Sequence, residues 1–250
     1  MKIALITGGS RGLGRSAALS LAQQGVGVIL TYQHNADAAH SAVHEITQAG
    51  GQAVAMALDT TRTQDFEAFE KAFQAQLQHQ WQRTDFDILI NNAGFGLHKA
   101  LADTSEAEFD ALMQVHLKGP FFLTQRLVPL MADGGRILNI SSGLTRFSFP
   151  GSGAYAAMKG AVEVWTRYLA VELGARKIRV NTLAPGAIAT DFRDGAVRDT
   201  PQVREQIGAH TALGRVGEAE DIGPLMAALV TDSHGWVNGQ RIEASGGMLL

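Results

Sequence analysis

Seven short apolar runs, each separated from the next by a stretch of helix length, constrain this chain more than any other feature. The runs are KIALITG (2–8), VGVILTY (26–32), GQAVAMALD (51–59), DILINNAG (87–94), GRILNISS (135–142), IRVNTLAPG (178–186) and GQRIEASGG (239–247). Most are nearly continuous in Ile, Leu, Val and Ala, as strands covered on both faces are. Amphipathic stretches lie between them near 13–24, 35–49, 63–81, 105–131, 152–175 and 219–231. This alternation predicts an α/β fold: a doubly wound parallel sheet with helices on both faces. No Pro-, Gly- or Ser-rich linker divides residues 1–250, so one domain is expected. Residues 187–216 break the rhythm, being too long and polar for a plain crossover. Their place after a strand's carboxyl end predicts a lid or substrate-binding region.

The first strand runs straight into TGGSRGLG. Gly8, Gly12 and Gly14 form G-x-x-x-G-x-G ahead of the helix-forming RSAALSLAQQ. Glycines at this turn let the backbone approach a pyrophosphate closely, and the helix N-terminus stabilises its charge. Phosphate binding is therefore expected, against the plainer alternative of a glycine-rich turn.

Open α/β sheets bind ligands beyond the carboxyl ends of their strands. Here those ends carry the glycine turn, Thr31-Tyr32, Asp59, Asn91-Asn92-Ala93-Gly94, Ser141-Ser142 and Pro185-Gly186. Tyr155 and Lys159 open the helix after strand five, four residues apart and thus on one helical face. The same ladder continues through Glu163 and Arg167, as a solvated ion-paired face would. Their position at the ligand edge favours chemistry. Thirteen residues separate Ser142 from Tyr155, enough for a loop to fold the hydroxyl back over the phenol.

Composition narrows the function by exclusion. A net charge of −3 and a pI near 6.2 give no electrostatic footprint for nucleic acid. The apolar runs are far too short to span a membrane. MKIALITGGS lacks a cleavage site and reads as a buried strand, not a signal peptide. There are no cysteines, which removes disulfides and thiolate chemistry and fits a reducing, cytoplasmic setting. His40, His44 and Glu45 superficially resemble a metalloprotease helix, but HEITQ lacks the second histidine; a surface helix and no metal are expected.

TGGSRGLG, the Asp59 position, NNAG, a serine thirteen residues before Y-x-x-x-K, the PG turn and the closing NGQRIEASGGM together resemble the short-chain dehydrogenase/reductase family from end to end. By look, the 3-oxoacyl-carrier-protein reductases are near relatives. The resemblance implies a seven-stranded Rossmann sheet, a nicotinamide dinucleotide, a small carbonyl or alcohol substrate and a homo-oligomer, usually a tetramer. It implies Ser142, Tyr155 and Lys159 as catalytic residues. Cofactor contacts are implied for Gly8, Ser10, Arg11, Gly12, Leu13 and Gly14 in the turn, and for Tyr32, Gln33 and Asp59 after strands two and three. Asn91, Ala93, Gly94, Pro185, Gly186, Ile188 and Thr190 are implied at the later strand ends, with Tyr155 and Lys159 serving cofactor as well as chemistry. Two positions depart from the family pattern. His116 stands where an Asn usually holds a water linking the lysine to solvent; a histidine can do the same, relay a proton, or merely pack. Ser245 stands where an acid or Asn is common.

These residues support hydride transfer between a ketone and a secondary alcohol. Tyr155 can supply the proton, Lys159 is expected to lower the phenol's pKa from its usual value of about 10, and Ser142 can donate to the carbonyl oxygen. The end of strand two, VILTYQHN, has no acid to repel a 2′-phosphate, and Arg11 offers a planar donor to it, so NADP(H) is the expected cofactor. An NAD-dependent alcohol or sugar dehydrogenase is the alternative enzyme, and a non-catalytic dinucleotide sensor the alternative of another class. A 3-oxoacyl thioester is one candidate substrate. Phe95, Phe147, Phe149 and Phe192 are candidates to line an apolar pocket, and Arg146 and Arg193 to receive an anion. Arg176, Lys177 and Arg179 either face an acidic carrier protein or complement a helix C-terminus.

Overall fold

Alternation along the first strand sorts its four apolar residues onto two faces. Ala4 and Ile6 join one hydrophobic cluster, and Ile3 and Leu5 join another on the opposite side of the sheet. The computed structural model describes residues 1–231 and 235–250. Its strands are β1 (Ile3–Ile6), β2 (Gly27–Tyr32), β3 (Ala53–Ala57), β4 (Phe86–Asn91), β5 (Met131–Ile140), β6 (Arg179–Pro185) and β7 (Arg241–Ala244). They form one parallel sheet in the order β3-β2-β1-β4-β5-β6-β7. Helices α1 (Gly12–Gln23), α2 (Ala36–Gln48) and α9 (Ala219–Val230) cover the Ala4 face through Ala17, Leu21, Ala42, Ile46, Ile222 and Met226. On the other face, α3 (Phe66–Trp81), α5 (Gly119–Leu127) and α6 (Gly153–Glu172) contribute Phe73, Leu77, Leu123, Leu127 and Ala170. This is the expected doubly wound Rossmann sheet. Strand order reverses between β1 and β4, which makes the switch point where such folds hold ligands.

Three boundaries differ from expectation, each for a physical reason. Strands β1 and β7 stop short of their expected carboxyl ends. Gly8 (φ +63°), Gly246 (φ +65°) and Gly247 (φ +78°) adopt left-handed conformations that cannot continue a pleat. The helix expected over 105–131 is three pieces: α4 (Glu106–Met113), a π-helical turn at Gln114–Lys118, and α5. Pro120 has no N–H to donate into a regular ladder. A side chain on Gly119 would run into the Thr60 carbonyl, so the helix passes close to that backbone. Strand β5 begins at Met131 rather than 135, because a register shift against β4 between Phe86 and Ile88 admits the Asp133-Gly134 bend.

Within 187–216 lie α7 (Ala196–Asp199) and α8 (Pro201–Ala209). The segment is tied to the C-terminal tail by an antiparallel bridge between Thr211 and Met248 and by Ala212 N–H donating to Gly247 O (3.1 Å).

Candidate active site

Asn92, absent from the residues expected to matter, holds the glycine turn in place. Its Nδ2 donates to the carbonyls of Thr7 (2.9 Å) and Gly8 (3.0 Å), while Thr7 Oγ1 accepts from Asn92 N (3.0 Å) and Ala93 N (3.1 Å). A Cβ on Gly8 would lie 2.9 Å from Ala93 Cα, and one on Gly14 would strike Gly8 O, so both must be glycine. Gly12 differs. It has φ +53°, and a Cβ there would meet Thr190 Cγ2 at an ordinary contact distance of 3.6 Å. Ser10 is buried and Leu13 packs on the core beneath the turn. Asn91, by contrast, faces inward. Its Nδ2 donates to Thr124 Oγ1 (3.0 Å) and Asn139 Oδ1 (2.9 Å).

Arg11 sits at the mouth of the turn with its guanidinium on Asp191 (2.5 Å), so turn and post-β6 segment are joined across a groove of about 300 Å³. Gly12, Thr190 and Arg198 also line that groove. Ile188 packs on the core and bridges to Gly217, which places Thr190 toward the glycine turn. Beside them, Gly186 leaves no room for a side chain against Ser245, whose hydroxyl donates to Glu243 (2.6 Å). At the end of β2 the Tyr32 ring meets His40 edge-on (6.2 Å). Burial works to raise the Asp59 carboxyl's pKa, but hydrogen bonds from Thr61 and Gln33 outweigh it and hold the group below its ordinary value.

Tyr155, Lys159, Ser142 and His116 meet beyond the end of β5. Tyr155 is buried, Ser142 acts on its phenol oxygen as a donor, and Ser142 Oγ accepts from Leu144 N (3.2 Å). Lys159 is buried, with Nζ donating to Ile140 O (2.7 Å) and standing 5.7 Å from the Tyr155 ring centroid. Burial depresses its pKa to about 7. Any lowering of the tyrosine's pKa by Lys159 is outweighed here. Burial pushes Tyr155 above its ordinary value, and the opposing influences are the Ser142 hydrogen bond and the charge of Arg193. A lysine poised near neutrality is a weaker cation than the one expected.

The π-helical turn carries His116 into this cluster. The imidazole is buried, its Nε2 lies 2.6 Å from Phe95 O, and its ring stands 5.1 Å from that of Tyr155 at 88°. Gly94 must be glycine here, since a Cβ would enter the His116 ring. A carbonyl partner requires Nε2 to carry the proton, which leaves Nδ1 an acceptor. Neither Nδ1 nor Asn91 Oδ1 has a protein partner. Both residues line a cavity of about 10 Å³ together with Lys159, Thr7 and Asn139. Burial, aided by the Lys159 charge, keeps His116 neutral by depressing its pKa well below the usual range.

The loop bearing Ser142 is braced from behind. Glu163 Oε1 accepts from Ser141 Oγ (2.6 Å), Thr145 Oγ1 (2.7 Å) and Arg241 Nε (2.9 Å). Arg146 is committed to Glu243 in a bidentate pair (2.7 Å each) and to the carbonyls of Met248 and Leu249, so it receives no substrate anion. Of the expected basic residues at 176–179, only Lys177 is exposed. Arg176 pairs with Asp133 (2.8 Å), and Arg179 is buried within β6. The four phenylalanines also separate. Phe95 and Phe192 flank His116 and Tyr155, with centroid distances of 5.7 and 5.9 Å, whereas Phe147 is buried against Gly143 and pairs with Phe149.

A glycine turn at the switch point and a Ser142–Tyr155–Lys159 cluster on a seven-stranded sheet define a class, and comparison with known proteins agrees. Residues 8–249 match the family described as enoyl-(acyl carrier protein) reductase, and the chain belongs to the short-chain dehydrogenase/reductases. It is 37% identical over 264 residues to an NADPH-dependent aldehyde reductase-like protein, chloroplastic, of Arabidopsis thaliana, covering 98% of this chain and 93% of that one. Among solved structures it is similar to the promiscuous reductase LugOII, which catalyses keto-reduction at C1 during lugdunomycin biosynthesis (TM-score 0.94, 40% identity, 99% and 97% of the two chains). The angucycline C-6 ketoreductase LanV with bound NADP is similar too (TM-score 0.94, 37% identity, 99% and 95%). Among the described residues no helix is long and apolar enough to cross a membrane, and no group of side chains could hold a metal ion.

Proposed function

We propose that this protein is an NADPH-dependent reductase that converts a ketone to a secondary alcohol, with Tyr155 as the proton donor. The observation that carries this reading is a buried phenol, with Ser142 as a donor to its oxygen, at the ligand edge of a Rossmann sheet. Burial keeps the phenol protonated at neutral pH, as a donor for reduction must be.

The residues fit the cofactor. Gly12 opens α1 at φ +53° on the edge of a groove lined by Arg11 and Arg198, with Asp191 and Glu220 beside them; the two guanidiniums suit phosphate oxygens, and no carboxylate ends β2. Gly12, Thr190 and Arg11 would hold the phosphates; Asn92 keeps the turn in shape. When bound, the nicotinamide supplies the hydride. As the carbonyl oxygen gains charge, Ser142 donates a hydrogen bond to it and Tyr155 gives up its proton, and the Lys159 ammonium then stabilises the phenolate left behind. His116, Asn91 and Lys159 line room for about one water, for which the unpartnered His116 Nδ1 and Asn91 Oδ1 are candidate partners. Such a water would give the lysine a route for proton exchange. The solved relatives named for keto-reduction support a ketone as the substrate class. A 3-oxoacyl thioester on an acidic carrier draws no support from Arg176 and Arg179, which are engaged within the fold. NADPH oxidation with a panel of cyclic and aryl ketones tests the reading: turnover supports it, and none across the panel overturns it.

A homo-oligomer forms part of this proposal. Phe121, Phe122, Tyr168 and Val171 leave an exposed apolar face on α5 and α6, with Tyr168 66% and Val171 82% accessible. A monomeric mass by light scattering at micromolar concentration would overturn it.

A further inference from the structure

Arg193 stands out among the cations around the cleft. Arg11 is paired with Asp191, Arg146 and Arg241 with Glu243, and Arg198 with Asp199. The Arg193 guanidinium makes no hydrogen bond and no ion pair among the described residues, although the residue's carbonyl accepts from Ala196 N (3.1 Å). Of the carboxylates close by in sequence, Asp194 forms no ion pair with it, Asp191 holds Arg11 and Asp199 holds Arg198. Yet the residue is only partly exposed. Its backbone is left-handed (φ +54°), as is that of Asp194 (φ +56°) ahead of Gly195 (φ +75°). Non-glycine residues adopt this conformation at a cost, and such strain concentrates at functional sites. The Arg193 stem and the Phe192 ring lie against Gly96, where a Cβ would strike Arg193 Cγ and come 2.6 Å from Phe192 Cε1. The preceding residue, Phe192, stands 5.9 Å from the Tyr155 ring, which places Arg193 at the reacting end of the cleft, and its charge acts on the phenol.

We propose that Arg193 is the anion receptor of the substrate site, and that the ketone it serves is a flat apolar molecule bearing a carboxylate. The inference rests on Tyr155 marking the site of reduction. Phe192 stands 5.9 Å from Tyr155 and Phe95 stands 5.7 Å from His116; both are about two-fifths exposed and offer walls for an aromatic body. A guanidinium fork matches a carboxylate with two parallel hydrogen bonds, and an unpaired one half out of water gains more from that match than an exposed one.

The test is calorimetric titration of NADPH-loaded protein with 2-naphthoate and with its methyl ester. Naphthoate is expected to bind at least about tenfold more tightly than the ester. Arg193→Gln is expected to erase that preference with NADPH affinity unchanged, and Arg193→Lys to keep part of it. Equal affinity for the two ligands, no binding of naphthoate, or a preference that survives Arg193→Gln would overturn the proposal. Tyr155→Phe should bind naphthoate like the parent. If the parent turns over no ketone but still binds naphthoate through Arg193, the reductase reading fails and the anion site stands. Ketone turnover without an Arg193-dependent preference overturns the anion site and leaves the reductase reading in place.

Discussion

The His116 imidazole stands edge-on to the Tyr155 phenol, ring centroids 5.1 Å apart, with Nε2 on Phe95 O, Nδ1 without a protein partner, and the residue lining a one-water cavity shared with Lys159. A histidine so placed shapes the site and carries a water without touching the carbonyl. Replacing it with alanine should lower kcat by about tenfold, and Asn, which can also hold a water, should recover much of that loss. Steady-state rates at saturating ketone check this. A loss from His116→Asn as deep as that from Tyr155→Phe would give histidine a direct part in the chemistry.

Lys159 makes stability depend on pH. Its pKa in the folded protein is about 7 against an ordinary 10.5, so between those values the unfolded chain binds a proton that the folded chain does not. Stability therefore rises with pH across that window. Without nucleotide, moving from pH 7 to 9 should add about 2 kcal/mol and raise Tm by roughly 5 °C. Lys159→Met should remove the slope. An unchanged slope in that variant, by thermal melts across the range, would contradict the buried lysine.

Arg11 is shared between Asp191 and any phosphate entering the groove. NADPH should exceed NADH by at least about tenfold in kcat/KM, the worth of one charge-assisted contact. Arg11→Ala should erase most of that gap, and Tyr32→Asp should reverse it. Asp191→Asn, by freeing the guanidinium, should lower KM for NADPH by a few-fold and leave NADH unchanged. Equal efficiency with both cofactors in the parent would defeat this account.

Periodicity and strand-end chemistry made most of the frame legible in the sequence. The apolar runs located all seven strands, and the strand-end rule placed the glycine turn, Ser142, Tyr155 and Lys159 along one edge. What stayed hidden depends on contacts far apart in the chain or on single-residue alternation. Asn91 and Asn92 are adjacent, but only the first still belongs to the pleat; it turns inward to Thr124 while Asn92 reaches Thr7 and Gly8. Arg146 and Arg193 are alike in sequence context, and only the fold brings Glu243, 97 residues away, onto Arg146. The π-helical turn could not be read because one widened turn scarcely alters an amphipathic pattern; Gly119-Pro120 was its only mark. Burial, which sets the protonation of Tyr155 and Lys159, has no signature in a four-residue spacing.

The central claim is that Tyr155 supplies the proton, and Tyr155→Phe tests it most directly, since only the hydroxyl is removed. Single-turnover hydride transfer from NADPH to a ketone that the parent reduces, followed by loss of nicotinamide absorbance, should slow by about 10²–10⁴-fold. NADPH affinity, measured by fluorescence titration on the same preparation, should stay within about twofold of the parent. A variant that transfers hydride within a few-fold of the parent rate would contradict the assignment.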